Sequence, residues 1–224
     1  MKHQSIIKHL ITRTPHLMLT AILIALLHST VAVARTPIRQ WFTAMPDSVM
    51  PLLTKNNRLD FIDFVDCGMT AIVTNRLDGK SRMDTLTDDY LLVSYTSSCE
   101  VAMKLLPVND STDVLCMVTT ALATVPDSHI AFYNAHWQPL PTRKYIEEPK
   151  LDDFAPSCAD DSARIAWSKV TLSSRTYHLS TEDNRLVCRL SALRHLNKTD
   201  HEALTPYLQS DTLVLRWYNG HYER

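Results

Sequence analysis

The sequence predicts an α+β fold, with helices first, a mainly antiparallel β meander after them, and a smaller C-terminal β-rich lobe that contains one helix. Three observations lead to this prediction. Apolar residues recur at helical spacing early in the chain, short runs of strand-forming residues follow, and no helical pattern separates these runs. Strands that follow one another without crossover helices pair in antiparallel fashion.

The first 34 residues have the pattern of a secretory signal peptide. Their basic residues are Lys2, Lys8 and Arg13. The apolar run from Leu17 to Leu27 is shorter than the roughly 20 residues that cross a bilayer. Ala32-Val33-Ala34 is a cleavage motif, so we expect processing between Ala34 and Arg35, export, and no membrane span afterwards. An uncleaved anchor is the alternative, since residues 14–34 lack charged side chains.

The segment from Ile38 to Met69 is predicted to be helical. Met45-Pro46-Asp47-Ser48 offers a cap for a helix in which Val49 and the leucines after it lie on one face. A second helix is predicted from Arg58 to Cys67. It should end at Gly68, because glycine readily adopts the left-handed backbone that terminates helices.

Strand patterns fill most of the remaining chain. The predicted strands of the meander are Ala71–Asn75, Ser81–Leu86, Tyr90–Tyr95, Glu100–Leu106, Asp113–Ala123 and His129–Tyr133. The C-terminal lobe should contain strands at Ile165–Leu172, Thr176–Leu179, Arg185–Leu193 and Thr212–Tyr218 and a helix at Thr199–Leu208. We therefore expect a signal peptide at 1–34, an α+β lobe at 35–142, a proline-rich charged connection at 143–161 and a β-α-β lobe at 162–224.

Two patches of the sequence resemble one another. The segments Ile130–Trp137 and Leu215–Tyr222 share tyrosine, asparagine, a small residue, histidine and an aromatic residue in register. An internal duplication and a chance recurrence of strand-turn patterns both fit this similarity. We expect each patch to end an edge or terminal strand and to have a structural role.

Composition excludes several classes of function. Removing the predicted leader takes basic residues away and leaves more acidic than basic side chains, which argues against nucleic acid as a partner. The chain has only 3 glycines, so it lacks the glycine-rich loops that bind nucleotides. No catalytic or cofactor motif is present, and we expect no cofactor.

The 5 cysteines are Cys67, Cys99, Cys116, Cys158 and Cys188. An odd number leaves at least one unpaired, and the spacing does not decide which of them would pair. Cys116 and Cys188 lie in apolar strand patterns, and we expect them to be core residues.

Two weak candidate sites stand out. Asp60, Asp63 and Asp66 recur every third residue on a predicted helix, which suits either a hard cation or, as we favour, a solvated helix face. His136 and His221 occupy equivalent places in the two similar patches, where they are either acid–base groups or part of the strand ends.

The run Phe42-Thr-Ala-Met-Pro-Asp-Ser-Val-Met-Pro-Leu-Leu-Thr-Lys-Asn-Asn-Arg-Leu-Asp-Phe-Ile-Asp-Phe64, followed by Thr74–Leu77 and Leu86–Tyr90, resembles an exported Bacteroidetes family, the domain of unknown function 3256. The closing Trp217-Tyr-Asn-Gly220 fits the same family. This resemblance implies a periplasmic envelope protein of a Gram-negative bacterium and no particular activity. The bacterial group also implies O-glycosylation at Asp-Ser or Asp-Thr followed by an aliphatic residue or threonine. Such triplets begin at Asp47, Asp84, Asp110, Asp161 and Asp211.

We expect a non-enzymatic binding or scaffolding module that uses the exposed face or an edge of an antiparallel sheet against a protein, peptide or glycan of the cell envelope. The alternative is a small periplasmic hydrolase of unfamiliar geometry. A deep polar pocket holding His136 or His221 beside a carboxylate would favour the enzyme, and a shallow exposed patch would favour binding.

Overall fold

The computed structural model describes residues 35–155 and 160–224. The predicted signal peptide at 1–34 and Cys158 lie outside these described residues. Among the helices of the described part, none is long and apolar enough to cross a membrane.

The described part of the chain contains four α-helices and eleven β-strands. The described helices are α1 (Ile38–Ala44), α2 (Lys55–Asp66), α3 (Asp161–Trp167) and α4 (Lys198–Leu204), with short 3-10 turns at Thr142–Lys144, Leu151–Asp153, Ser191–His195 and Thr205–Tyr207. The first seven strands are β1 (Ile72–Thr74), β2 (Lys80–Leu86), β3 (Tyr90–Thr96), β4 (Cys99–Asn109), β5 (Thr112–Ala121), β6 (Asp127–Tyr133) and β7 (Pro139–Leu140). The last four are β8 (Thr176–Leu179), β9 (Arg185–Arg189), β10 (Thr212–Tyr218) and β11 (His221–Glu223).

The strands form two antiparallel sheets. The first sheet has 7 strands in the order β1-β2-β3-β4-β5-β6-β7, and the second has 4 strands in the order β11-β10-β9-β8. Neighbours in sequence are neighbours in space throughout, so the predicted α+β class, the meander and the smaller C-terminal sheet are confirmed.

The central strands β4 and β5 of the first sheet are buried on both faces. Along β4, side chains alternate between two apolar clusters: Val101 and Met103 pack with α1 and α2, whereas Ala102 and Leu106 pack with the second sheet. A near-continuous apolar strand is the expected sequence of a sheet covered on both sides. The two sheets therefore share one apolar cluster, whereas β1, β2 and the outer side of the second sheet keep exposed residues.

The predicted helix after the Met45–Ser48 cap is wrong. Residues 46–53 form hydrogen-bonded turns, with Val49 N–H donating to Pro46 and Leu53 N–H donating to Met50. The buried Arg58 guanidinium donates to the carbonyl oxygens of Met45 and Leu53, so a side chain takes acceptors that a continuous helix would use. Pro51 also lacks the N–H of a helix interior.

Helix α2 begins and ends where local chemistry dictates. Thr54 Oγ1 accepts a hydrogen bond from Asn57 N–H at 3.1 Å, and Asn57 Oδ1 accepts one from Thr54 N–H at 3.0 Å, which is a reciprocal cap. Just past the helix, Gly68 has φ +67°, and the predicted termination at this glycine is confirmed.

Two predictions in the C-terminal part are also wrong. The strand expected at Ile165–Leu172 is replaced by α3, because Ala163, Ala166 and Trp167 bury one helical face while Ile165 points to solvent. The strand expected at Arg185–Leu193 ends at Arg189 and continues as a 3-10 turn, in which the Ser191 hydroxyl donates to the Pro126 carbonyl oxygen.

Candidate functional site

The solvent-facing side of the second sheet is an open surface, here called the outward face. It consists of alternate residues of the central strands: Arg185, Val187 and Arg189 of β9, and Val214, Arg216 and Tyr218 of β10. The intervening residues Leu186, Cys188 and Leu215 face the core. Tyr218 is 61% exposed and Val214 44% exposed, so two large side chains of the same strand face solvent.

The pairing of the strands determines which of these side chains are neighbours. Val214 is the cross-strand partner of Val187, and Arg216 is the partner of Arg185. On the other side of β10, Tyr218 lies opposite His221. An apolar pair, an arginine pair and an aromatic residue with a histidine therefore follow one another along the outward face.

At the edges of both sheets, backbone groups of outer strands already make hydrogen bonds within the chain. Asn57 Nδ2 donates to the Thr74 carbonyl oxygen of β1, and Tyr177 N–H of β8 donates to Ser128 Oγ. Tyr222 N–H of β11 donates to the Tyr145 carbonyl oxygen at 2.7 Å. The remaining outer strand, β7, has two residues and begins with Pro139, which has no N–H. These contacts disfavour addition of a partner strand at an edge.

The charges of the outward face are only partly paired. Arg185 Nε lies 2.5 Å from Asp183 Oδ2, whereas Arg189 Nε lies 3.7 Å from Asp211 Oδ2. Arg216 is exposed and has no ion-pair partner among the described residues. This face therefore presents an unneutralised guanidinium.

A shallow cleft of about 650 Å³ adjoins one end of the outward face, and Arg189 belongs to both. Its charged and titratable lining consists of Arg189, Arg194, Lys198, His201, Glu202 and Asp211. Lys198 Nζ lies 3.9 Å from Glu202 Oε1, a weak exposed contact, so the cleft keeps cationic groups available.

A second cleft, of about 500 Å³, lies where the N-terminal segment meets β4, β5 and the loop that precedes β3. The Lys104 side chain is 2% exposed, and its Nζ lies 2.9 Å from Asp89 Oδ2. Arg35 donates to Asp113 Oδ1 at 2.8 Å, while burial raises the pKa of the Asp113 carboxyl. Arg35 therefore attaches the N-terminal segment to β4 and β5, and both of these cations already have carboxylate partners.

The predicted Tyr-Asn-x-His patches each lead into a hairpin. Tyr133 ends β6 and Tyr218 ends β10, but neither strand is an edge strand, because the short strands β7 and β11 lie outside them. Asn134 Oδ1 accepts hydrogen bonds from the backbone N–H groups of His136 and Gln138. Asn219 and Gly220 both have positive φ, +47° and +82°, as a two-residue hairpin turn requires.

His136 and His221 lie in different environments. His136 is exposed in its turn, whereas His221 lies on the second sheet with Nε2 2.8 Å from Glu223 Oε1. That histidine–carboxylate pair sits on an open sheet face and lines none of the described clefts.

The three aspartates of α2 lie on its solvent side. Asp60, Asp63 and Asp66 are all exposed, and Asp66 accepts two hydrogen bonds of 3.1 Å from Arg39. Within residues 35–155 and 160–224, no three His, Cys, Asp or Glu side chains are grouped to hold a metal ion.

The four described cysteines are free thiols. Cys116 and Cys188 are fully buried, as predicted for core residues. Burial raises the pKa of the Cys188 thiol to about 12 and that of Cys116 further still, so neither is a reactive thiolate.

The triplets that suggested O-glycosylation differ in accessibility. Ser48, Ser111 and Ser162 are exposed, whereas Thr85 and Thr212 are half-buried within strands.

The outward face was not predicted from the sequence. Its arginines lie as far as 31 residues apart in the chain, so no basic cluster is visible in the sequence, and the strands bring them together. Two alternating segments carried the signal, Arg185–Arg189 and Thr212–Tyr218, where polar or exposed residues alternate with core residues.

Comparison with known proteins supports the family assignment. No curated protein matches this chain. A solved structure described as a domain of an uncharacterized protein from Porphyromonas gingivalis W83 has 30% sequence identity and a TM-score of 0.76, covering 85% of this chain and 100% of its own. The family described as "Protein of unknown function (DUF3256)" matches residues 30–222. The chain therefore belongs to the DUF3256 family.

Proposed function

We propose that this protein is a non-enzymatic binding module of the cell envelope and that the outward face of its second sheet is the binding surface. The observation that carries the proposal is the open side of β9 and β10, where Tyr218, Val214 and Arg216 are exposed next to one another in register. Aromatic and arginine side chains are the residue types that anchor interfaces, and an exposed valine adds apolar contact area.

The state of the sheet edges supports the face over an edge as the point of contact. An extended peptide that adds a strand needs unpaired backbone groups. Since β1, β8 and β11 already use such groups in hydrogen bonds within the chain, a partner would engage side chains on the outward face.

Export is part of the proposal and rests on the leader pattern before Arg35. The expected mature N-terminus is Arg35, and N-terminal sequencing of protein from the host tests it. An intact Met1 would contradict export by this leader. The intact mass of the same sample shows whether the mature protein carries a glycan.

A retention assay tests the binding surface. We expect protein purified from its host and immobilised to retain material from a solubilised envelope fraction, and the double variant Val214→Ser/Tyr218→Ser to lose it. Met69→Ser is the matched control, because Met69 is 57% exposed on another surface. Equal retention by both variants and the wild type would contradict the assignment of this face.

The small hydrolase receives less support from the geometry. Its expected arrangement was a deep polar pocket that holds His136 or His221 beside a carboxylate. His136 is exposed in a turn, and the His221–Glu223 pair lies on an open face.

A further inference from the structure

The outward face places two arginines directly beside one another. Arg185 and Arg216 are cross-strand partners on β9 and β10, which sets their Cα atoms about 5 Å apart with both side chains on the same face. Like charges in directly opposite positions destabilise a sheet. The stability of the fold therefore does not explain this pair.

The neighbouring carboxylates leave guanidinium donors available. Asp183 Oδ2 pairs with Nε of Arg185, whose two Nη groups make no hydrogen bond among the described residues. Glu223 is the cross-strand partner of Arg216, but its Oε1 lies 2.8 Å from His221 Nε2. Arg216 thus keeps its donors for an external anion, and a planar guanidinium binds a carboxylate through two parallel hydrogen bonds.

Tyr218 extends the same surface in one direction. It follows Arg216 by two residues, so its ring lies on the same face about 7 Å along the strand. The exposed flat ring presents an apolar surface of the kind that packs against the C–H face of a sugar ring. In the other direction Arg189 leads to the cleft with Arg194 and Lys198.

We propose that Arg185, Arg216 and Tyr218 form a subsite for a carboxylate-bearing sugar within an acidic glycan chain, an inference that rests on the proposed function of the outward face. The arginines bind the carboxylate, and the tyrosine packs against the ring. Cations that continue from Arg189 toward Arg194 accommodate further acidic sugars along the chain.

Calorimetry with oligogalacturonate as the probe tests this subsite. For protein purified from its host, we expect Arg185→Gln and Arg216→Gln each to weaken binding about tenfold, the effect of losing one charged hydrogen-bond pair. Added salt should weaken wild-type binding. The melting temperature of each variant should stay the same or rise, because the substitution removes one of two adjacent like charges. If the arginine had only a structural role, its substitution would lower the melting temperature.

Arg82→Gln is the matched control, because Arg82 is an exposed arginine of β2 on the first sheet and is bound to Asp84. It should leave the affinity unchanged. Equal affinity for a neutral oligosaccharide or for polyglutamate would overturn the acidic-sugar inference, as would wild-type affinity in the Arg216→Gln protein.

The His221–Glu223 pair provides a second, independent readout. His221→Ala should weaken oligogalacturonate binding severalfold, because Glu223 is then free to pair with Arg216 across the strands. The double variant His221→Ala/Glu223→Gln should restore binding. A failure of this restoration would contradict the assigned role of Arg216.

The two levels of the proposal fail in different ways. If the envelope fraction is retained through Tyr218 and Val214 while oligogalacturonate does not bind, only the glycan inference is wrong. If neither binds through these residues, the proposed binding surface is wrong as well.

Discussion

At the scale of single residues, Trp217 joins the two sheets. Its indole Nε1 donates to the Pro107 carbonyl oxygen of β4 at 2.6 Å. Its ring stacks 6.2 Å from Tyr145 and 6.5 Å from Phe132 and meets Tyr222 edge-on at 5.0 Å. Aromatic packing and one hydrogen bond therefore connect β10 to the first sheet.

We expect Trp217→Ala to lower the free energy of unfolding by about 3 kcal/mol or more, since it opens a cavity and leaves the Pro107 carbonyl without its donor. Tyr218→Ala is the control, because this neighbour points to the opposite face, and its effect should stay within about 0.5 kcal/mol. Urea unfolding of both variants measures the difference. Equal losses would contradict the described alternation of β10.

Asp153 makes a pH-dependent contact with the end of the chain. A hydrogen bond from Arg224, together with one from Lys150 N–H, lowers the pKa of the Asp153 carboxyl below its ordinary value of 3.8. The stabilisation is present above 3.8 and is lost as pH falls through the lowered pKa.

Asp153→Asn should therefore be less stable than the wild type near neutral pH, by up to about 1 kcal/mol as for exposed ion pairs. This difference in stability should disappear in strong acid, where the aspartate of the wild type is protonated and, like the asparagine of the variant, uncharged. Thermal melts across the acid range measure it. A gap that persists below the carboxyl pKa would show that charge does not cause it.

At the scale of elements, the ends of α2 are set by side chains and by one glycine. Gly68 has φ +67°, and a Cβ at this position would meet nothing within 4 Å. Any cost of a side chain here is therefore conformational rather than steric.

Gly68→Ala should lower the free energy of unfolding by about 1 kcal/mol, because an L-residue resists left-handed backbone. Gly68→Asn should cost less, since asparagine tolerates that conformation. Chemical denaturation ranks the two variants. An alanine variant as stable as the wild type would contradict this account of the helix end.

The sequence predicted local features better than those that depend on distant contacts. The predicted strands Thr176–Leu179 and Thr212–Tyr218 were correct to the residue, because turn-forming residues flank each of them. The helix predicted after Met45 was wrong, because Arg58 binds the carbonyl oxygens of Met45 and Leu53. The spacing of apolar residues does not reveal this contact. The pairing of Arg185 with Arg216 depends on strand register and was invisible for the same reason.

At the scale of the whole molecule, the two sheets bury a common apolar cluster. Residues of both sheets, among them Phe132, Val118, Leu186 and Leu215, belong to it. We expect a single cooperative unfolding transition, because separating the sheets would expose this shared surface. Tryptophan fluorescence and far-UV circular dichroism should give coincident urea curves. Two separate transitions would contradict the shared core.

The measurement that most directly tests the central claim is a map of backbone amide chemical shifts as the protein is titrated with the solubilised envelope fraction. A binding surface on the outward face predicts shifts confined to Arg185–Arg189, Thr212–Tyr218 and the adjoining cleft. Shifts centred instead on the His136 turn or on the cleft between Arg35 and Asp113 would contradict it.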